Sequence, residues 1–271
     1  MVKIHVLQIE NRKDNNLILK MMKKNKQLCE ERGIQYTFLE HSSFHVPPYW
    51  SKVFEINKIL SLSNDNELYV YWIDSDAFFV NFDKLENLIQ TNTAYSMIIS
   101  KDMPPWEDGE FNAGSFLVKN DQMGRDIMQT WTLLYDATRW KCNNASWTAD
   151  SGWSGSDYEQ GSFIDHILLN KKYVNAIKQL PYYILNNNSC RSVEDTIVTH
   201  LAQDHKENIQ TVAECEPIIE AFTEYTTDNY FVLLFVFLAF LIAMTYPLKR
   251  LFFRFKSLSV HSTNGYFARS T

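Results

Sequence analysis

The sequence predicts an α/β domain built on a mostly parallel sheet. Three observations carry this: strand-length apolar runs alternate with helical patterns from residue 4 onward, a glycine stands where the first long helix must stop, and the apolar run 68–73 is followed at once by Asp74-Ser75-Asp76. Ligands of open α/β sheets gather at the carboxyl ends of strands, so that last position is where chemistry is expected.

In order, residues 4–9 lie within MVKIHVLQIENRKDNN, whose apolar stretch is too short for a signal peptide and is soon broken by Asn11, Arg12, Lys13 and Asp14. They form a first core strand. Residues 17–32 follow with helical spacing and end at Gly33, the place of a C-cap glycine. Residues 36–39 are a strand, 50–62 a helix and 68–73 a strand. Further strands are expected at 94–100, 115–118 and 197–200, with helices at 121–135 and 160–170. Residues 103–109 and 151–157, each carrying a tryptophan among Gly, Pro or Ser, are loops.

Residues 230–248, YFVLLFVFLAFLIAMTYPL, contain no charge and no polar face. At about 1.5 Å per residue such a helix nearly crosses a hydrocarbon core of about 30 Å, so a transmembrane helix is expected. Glu214, Glu216, Glu220, Glu224 and Asp228 precede it, and Lys249, Arg250, Arg254 and Lys256 follow. The positive-inside rule puts the tail in the cytosol and the large domain in the lumen or outside. A tail-anchored chain with a cytosolic domain is the alternative. The layout is a folded domain over 1–206, an acidic juxtamembrane stretch over 207–229, the membrane helix over 230–248, and a basic then polar tail over 249–271.

With 271 residues, 45% of them hydrophobic, the chain is long enough for a sizeable core. A net charge of -6 excludes the basic footprint that nucleic-acid binding needs. Cys29, Cys142, Cys190 and Cys215 lack the close pairing of a tetrahedral zinc site. Cys142 and Cys190 each neighbour a glycosylation sequon, at Asn144 and Asn187, which fits an oxidising lumen. Whether those two cysteines pair is left open.

Four segments carry chemistry. In Asp74-Ser75-Asp76, two carboxylates one residue apart can face one hard cation, or else cap a turn and meet solvent. In Phe111-Asn112-Ala113-Gly114, the glycine admits close backbone approach and the amide can bond hydroxyls; an ordinary turn into a strand looks the same. Glu159-Gln160-Gly161 places an acid and an amide at a helix start, where an acid also suits the helix dipole. Finally, His200 ends an apolar stretch with Lys206 six residues on; imidazole ligates manganese, and lysine suits phosphate. A lone histidine is more often structural.

Taken in this order, WIDSDA, FNAG, EQG and the His200 to Lys206 segment resemble glycosyltransferases of GT-A fold, whose nucleotide-diphospho-sugar transferase domain is a Rossmann-like mixed sheet. They look most like family thirty-four, the galactosyl-, mannosyl- and xylosyltransferases, with kinship to the glycogenin-like family eight. The similarity spans about residues 1–206 and takes in Pro48-Tyr49-Trp50-Ser51-Lys52. It implies that Asp74, Asp76 and His200 hold Mn2+ or Mg2+ against the diphosphate of a nucleotide sugar, with UDP-sugars favoured over GDP-sugars. It further implies that Ser75, Lys52 and Lys206 serve the donor, that Asn112 and Gly114 contact its sugar, and that Glu159 and Gln160 lie near the anomeric carbon.

The implied reaction retains configuration and delivers a hexose or pentose to a hydroxyl of a glycan or glycoconjugate. Independently of the resemblance, Trp106 or Trp153 is a candidate to stack on acceptor sugar through its flat apolar face, although a tryptophan that anchors its loop is the commoner case. Two departures stand out: Gln203 replaces a glycine usual three residues after the metal histidine, and the expected anchor is C-terminal rather than N-terminal. Two rival readings remain. One is a haloacid-dehalogenase-like phosphatase, which normally has Thr or Val where this chain has Phe78. The other is a non-catalytic membrane-tethered protein that binds nucleotide sugars or glycans.

Overall fold

A strand covered by helices on both faces is buried on both, and β1 (Lys3–Glu10) buries seven consecutive residues, the polar His5, Gln8 and Glu10 among them, while β3 (Leu68–Ile73) buries five. These two form the middle of the sheet. The computed structural model describes residues 2–10, 15–40, 46–102, 109–143, 146–190, 194–201 and Cys215. All lie in a compact unit, Met1–Ile219; Glu220–Thr271 forms a second unit and holds none of them. Lys206, Trp106, Asn144 and the expected membrane helix at 230–248 fall outside the described residues. Among those described, no helix is long and apolar enough to cross a membrane.

β1 pairs in parallel with β2 (Gln35–Glu40) and with β3. On the far side of β3 comes β6 (Ser115–Lys119), antiparallel both to β3 and to β5 (Met97–Ser100), and β9 (Ile177–Leu180) then joins β5 in parallel. The six-stranded order is β2-β1-β3-β6-β5-β9. The sheet is therefore parallel over the half that ends in β3 and mixed beyond it, because β6 alone runs in reverse.

Two small sheets accompany it. β4 (Ala77–Phe79) pairs antiparallel with β10 (Val198–His200), setting His200 opposite Ala77, next to Asp76. β7 (Trp140–Asn143) and β8 (Ser146–Ala149) form a hairpin.

The helices start and stop for local reasons. In α1 (Asn16–Glu31) the Asn15 side chain accepts from Ile18 N at 3.1 Å, satisfying an otherwise orphaned donor. Gly33, at φ +63, closes the helix, and Ile34 N returns to Cys29 O at 2.8 Å. α2 (Pro48–Leu62) opens on a proline, whose missing N–H costs nothing there. Its Trp50, Val53, Ile56 and Leu60 are buried at helical spacing in the main core. α3 (Asp83–Thr91), unexpected from sequence, is a short amphipathic helix burying Leu85 and Ile89. In α4 (Gln122–Leu133) the cap is Asp121, which accepts from Gly124 N at 2.8 Å. The helix expected at 160–170 divides into α5 (Glu159–Phe163) and a π-helical turn, Ile164–Leu168. α6 (Tyr182–Leu185) is a single turn before β10.

Cys190 is bonded to Cys215, and Cys142 is a free, exposed thiol. The sequon asparagine Asn187 is buried, with its amide donating to Thr196 Oγ1 at 3.2 Å and accepting from Ser189 N at 3.3 Å. A folded chain offers no access for a glycan at that side chain.

Candidate functional site

β3 is a central strand, and the turn at its carboxyl end is pinned from every side. Asp74 N donates to Gly114 O at 2.7 Å, Ala77 N closes the turn on Asp74 O at 3.0 Å, and Gln8 Nε2 on β1 donates to that same carbonyl at 3.0 Å. Asn25 on α1 holds the next segment, donating to Ala77 O at 2.9 Å and accepting from Phe79 N at 3.0 Å. Asp74 Oδ1 accepts from Trp72 Nε1 at 2.8 Å and from Lys52 Nζ at 3.0 Å, which leaves Oδ2 turned towards Asp76 and His200.

Asp74, Asp76 and His200 each offer one ligand atom, all within 4.8 Å of one another. His200 Nε2 stands 3.4 Å from Asp76 Oδ1 and 3.8 Å from Asp74 Oδ2. The imidazole's other nitrogen decides what this means. Asn186 Nδ2 faces Ser100 Oγ at 2.7 Å and Asn112 O at 3.5 Å; a carbonyl can only accept, so the amide nitrogen belongs on that side. Asn186 Oδ1 therefore faces His200 Nδ1, at 3.0 Å, and the proton sits on Nδ1. The ring's other nitrogen, Nε2, faces two carboxylate oxygens. With Nε2 unprotonated, a cation among the three groups offsets the repulsion of their lone pairs. Two hard oxygens and one imidazole nitrogen suit Mn2+ or Mg2+, so the residues fit the implied metal.

Gly114 has a packing role at this centre. A Cβ there would strike the His200 ring and come within 2.9 Å of Asn112 Oδ1, so the missing side chain makes room for the imidazole. Asn112 is engaged at both ends of its amide, accepting from Gly114 N at 2.8 Å and donating to Asp102 Oδ1 at 2.6 Å. Ser75 is buried, and its hydroxyl donates to the Glu10 carboxylate at the end of β1.

Beside the three ligands lies a buried charge network. Lys52, one turn into α2, places Nζ 3.0 Å from Asp74 Oδ1, 3.3 Å from Glu159 Oε1 and 3.0 Å from Ala113 O. Burial alone lowers its pKa, yet the attraction of Asp74 and then Glu159 prevails and raises it. Glu159 has a raised pKa, chiefly by desolvation, with Lys52 opposing and Asp74 reinforcing. Gln160, the next residue, points elsewhere: Oε1 accepts from Ala113 N at 3.0 Å, and Nε2 donates to Asp102 Oδ2 at 3.3 Å.

The structure thus gathers Asp74, Ser75, Asp76, Lys52, Asn112, Gly114, Glu159, Gln160 and His200 into one neighbourhood, and Lys206 lies outside the described residues. Asn186 and Asp102 were missed. Asn186 sits in an Asn-Asn-Asn run that reads as a loop, and Asp102 follows β5 as one isolated acid. Its place at the carboxyl end of a strand was the available signal.

Comparison with known proteins bears on this site. The model of the galactosyl transferase GMA12/MNN10 family matches residues 1–109 and 86–255. Xyloglucan 6-xylosyltransferase 2 of Arabidopsis thaliana is 27% identical over 131 residues, 45% of this chain and 27% of that protein. An uncharacterized alpha-1,2-galactosyltransferase of Schizosaccharomyces pombe is 25% identical over 150 residues, 43% of this chain and 40% of that protein. The matches therefore span well under half the length of these curated relatives. Among solved structures, a glycosyltransferase involved in the glycosylation of the major capsid of PBCV-1 superimposes with a TM-score of 0.57 at 14% identity. It covers 82% of this chain and 99% of its own, a likeness of fold.

Proposed function

This chain belongs to the galactosyl transferase GMA12/MNN10 family, and we propose that it is a metal-dependent, retaining glycosyltransferase. It moves a hexose or pentose from a nucleotide-diphosphate sugar, preferably a UDP-sugar, to a hydroxyl of a glycan or glycoconjugate. One observation carries the metal-dependent donor site: Asp74, Asp76 and an imidazole that Asn186 holds by Nδ1, so that Nε2 faces the carboxylates, converge within 4.8 Å.

Asp74, Asp76 and His200 hold the divalent ion. Bound there, it supplies positive charge that screens the diphosphate and stabilises the departing phosphate oxygen. Lys52 aims Asp74, since its ammonium is buried 3.0 Å from Oδ1. Glu159 balances that ammonium from the other side at 3.3 Å, so it is a positioning group rather than a nucleophile. We assign Gln160, fixed between Ala113 N and Asp102, to shielding the anomeric centre, and Lys206 to adding positive charge for the diphosphate. In the transfer, the anomeric carbon–oxygen bond breaks with its electron pair passing to the diphosphate. The acceptor oxygen bonds to the same face, and its proton passes to the leaving phosphate oxygen.

The Cys190–Cys215 disulfide favours an oxidising compartment, so the domain over 1–206 faces the lumen and residues 230–248 anchor it with the basic tail in the cytosol. Full-length protein in detergent, given Mn2+ and a panel of UDP- and GDP-sugars, releases nucleotide from at least one donor. Asp76→Asn loses that release by about three orders of magnitude, as expected when a preorganised charge clamp is broken. Binding of no donor and release of no nucleotide would defeat the assignment.

A further inference from the structure

Trp153 stands 60% exposed in a loop built to hold it there. Ser151 N donates to Asp157 Oδ2 at 2.9 Å, Asp157 N returns to Ser151 Oγ at 3.1 Å, and Gly155 N closes on Gly152 O at 3.2 Å. Gly152, at φ +76, and Ser154, at φ +56, flank the tryptophan in the left-handed region, which a non-glycine residue adopts only at a cost. A tryptophan serving to tether its loop would bury its ring. This one is held outward by a cross-linked and strained backbone.

Its back is supported by other rings. Trp153 meets Tyr49 edge-on at 5.3 Å and Tyr158 at a tilt at 5.3 Å, and Trp140 lies behind both, 5.9 Å from Tyr49 and 4.8 Å from Tyr158. Polar groups border the cluster: Arg139 Nε is 3.4 Å from Asp157 Oδ1, and Lys141 Nζ is 3.0 Å from Asp150 Oδ1. An aromatic face edged by charged donors and acceptors matches a sugar ring, which has an apolar C–H face and a rim of hydroxyls.

The cluster adjoins the site described above. α2 follows the parallel strand β2, so its N-terminal end, with Tyr49 and Lys52, lies at the carboxyl edge of the sheet, as does Asp74. Tyr158 immediately precedes Glu159, whose carboxylate is 3.3 Å from Lys52 Nζ. Continuity with that site selects the occupant. We propose that the exposed face of Trp153, backed by Tyr49 and Tyr158, is a stacking subsite for a pyranose ring of the glycan acceptor. The inference rests on the glycosyltransferase reading for its turnover test and on direct glycan binding for an independent one.

Saturation-transfer NMR of the full-length chain with neutral gluco-, manno-, galacto- and xylo-oligosaccharides tests binding without turnover. At least one oligosaccharide gives a signal that Trp153→Ala removes and Trp153→Tyr retains. In transfer assays Trp153→Ala raises the acceptor KM about tenfold, the value of one aromatic contact, while the donor KM shifts by less than about twofold. If nucleotide release is absent in the parent protein, the transferase reading fails and the binding arm still decides the subsite. Binding of none of the four oligosaccharide classes by the parent overturns the proposal. So does an acceptor KM that Trp153→Ala leaves in place, or a dimer that this substitution converts to monomer.

Discussion

The two halves of the candidate metal centre are built in different ways. Asp74 and Asp76 follow a strand flanked on both sides by ladder partners, and main-chain bonds to Gly114, Gln8 and Asn25 fix their turn. His200 ends the three-residue β10, whose only strand partner among the described residues is the equally short β4. Its support is a set of cross-links: Asn186 to the ring, a main-chain bond from His200 N to Asn187 O at 2.7 Å, and the Cys190–Cys215 bridge that closes a loop around it. The aspartate half takes its rigidity from the sheet, and the histidine half takes it from a few named contacts.

That contrast can be broken most severely at Gly114. Gly114→Ala inserts a Cβ into the imidazole's place, and the neighbouring backbone of β3 and β6 cannot yield without disturbing the central sheet. Mn2+ affinity and nucleotide release should both fall by at least about a hundredfold, as when a metal ligand is displaced, while circular dichroism keeps the α/β signature. Calorimetric Mn2+ titration checks it; an affinity like that of the parent would mean His200 does not depend on the space at Gly114.

A milder break lies at Asn186. Asn186→Ala removes the acceptor that keeps the proton on Nδ1, and loss of such an outer partner typically costs 10–100-fold in metal affinity. Electron spin-echo spectroscopy of bound Mn2+ separates positioning from general damage. The histidine nitrogen coupling should weaken in Asn186→Ala and survive in Asn186→Asp, which keeps an oxygen towards the ring. Ser100→Ala, which removes only the partner of the amide's other end, should leave that coupling in place.

The disulfide gives a smaller effect on chemistry and a clear one on stability. Cys190 and Cys215, separated by 25 residues, seat on Ile18, Met21, Met22, Phe78 and Leu201. A loop of that size stabilises the fold by about 3 kcal/mol in the chain-entropy model. The double substitution Cys190→Ala, Cys215→Ala should lower the denaturant midpoint accordingly and weaken Mn2+ binding more than donor-independent folding would predict. If Mn2+ affinity is unaltered, β10 is held by β4 and Asn186 alone.

The same division explains what was legible. Central strands such as β1 and β3 announce themselves as largely apolar runs, and Gly33 marks a helix end by local chemistry, so the parallel half of the sheet was readable, whereas the caps at Asn15 and Pro48 came only with the structure. The reversed β6 was not, because strand direction is a property of pairing and leaves no trace in a five-residue apolar run. β4, β7 and β8 are too short for periodicity to register. At the site, Asp74 and Asp76 carry their own signal in spacing and position. His200 joined them through resemblance. Asn186, which fixes its tautomer, could emerge only once β10 and α6 were brought together in space.

The smallest effect sits in the sheet half and runs with pH. His5, on β1, is buried with Nε2 2.8 Å from Thr37 Oγ1, and burial lowers its pKa from the ordinary 6.5. The folded chain therefore holds His5 neutral while the unfolded chain still binds its proton near pH 6. Stability from this group is fully present above pH 6.5 and is lost as pH falls through that value towards the depressed folded pKa. Urea midpoints measured between pH 7.5 and about 5 should decline, and the decline should be shallower in His5→Gln, which keeps a hydrogen-bonding side chain but no titration. Because His5 lies on the opposite side of the contrast from the disulfide, the slope should persist in the cysteine double variant. A slope that vanished with the disulfide would show that the buried setting of His5 itself depends on the bridge, and the two halves would then not be separately built.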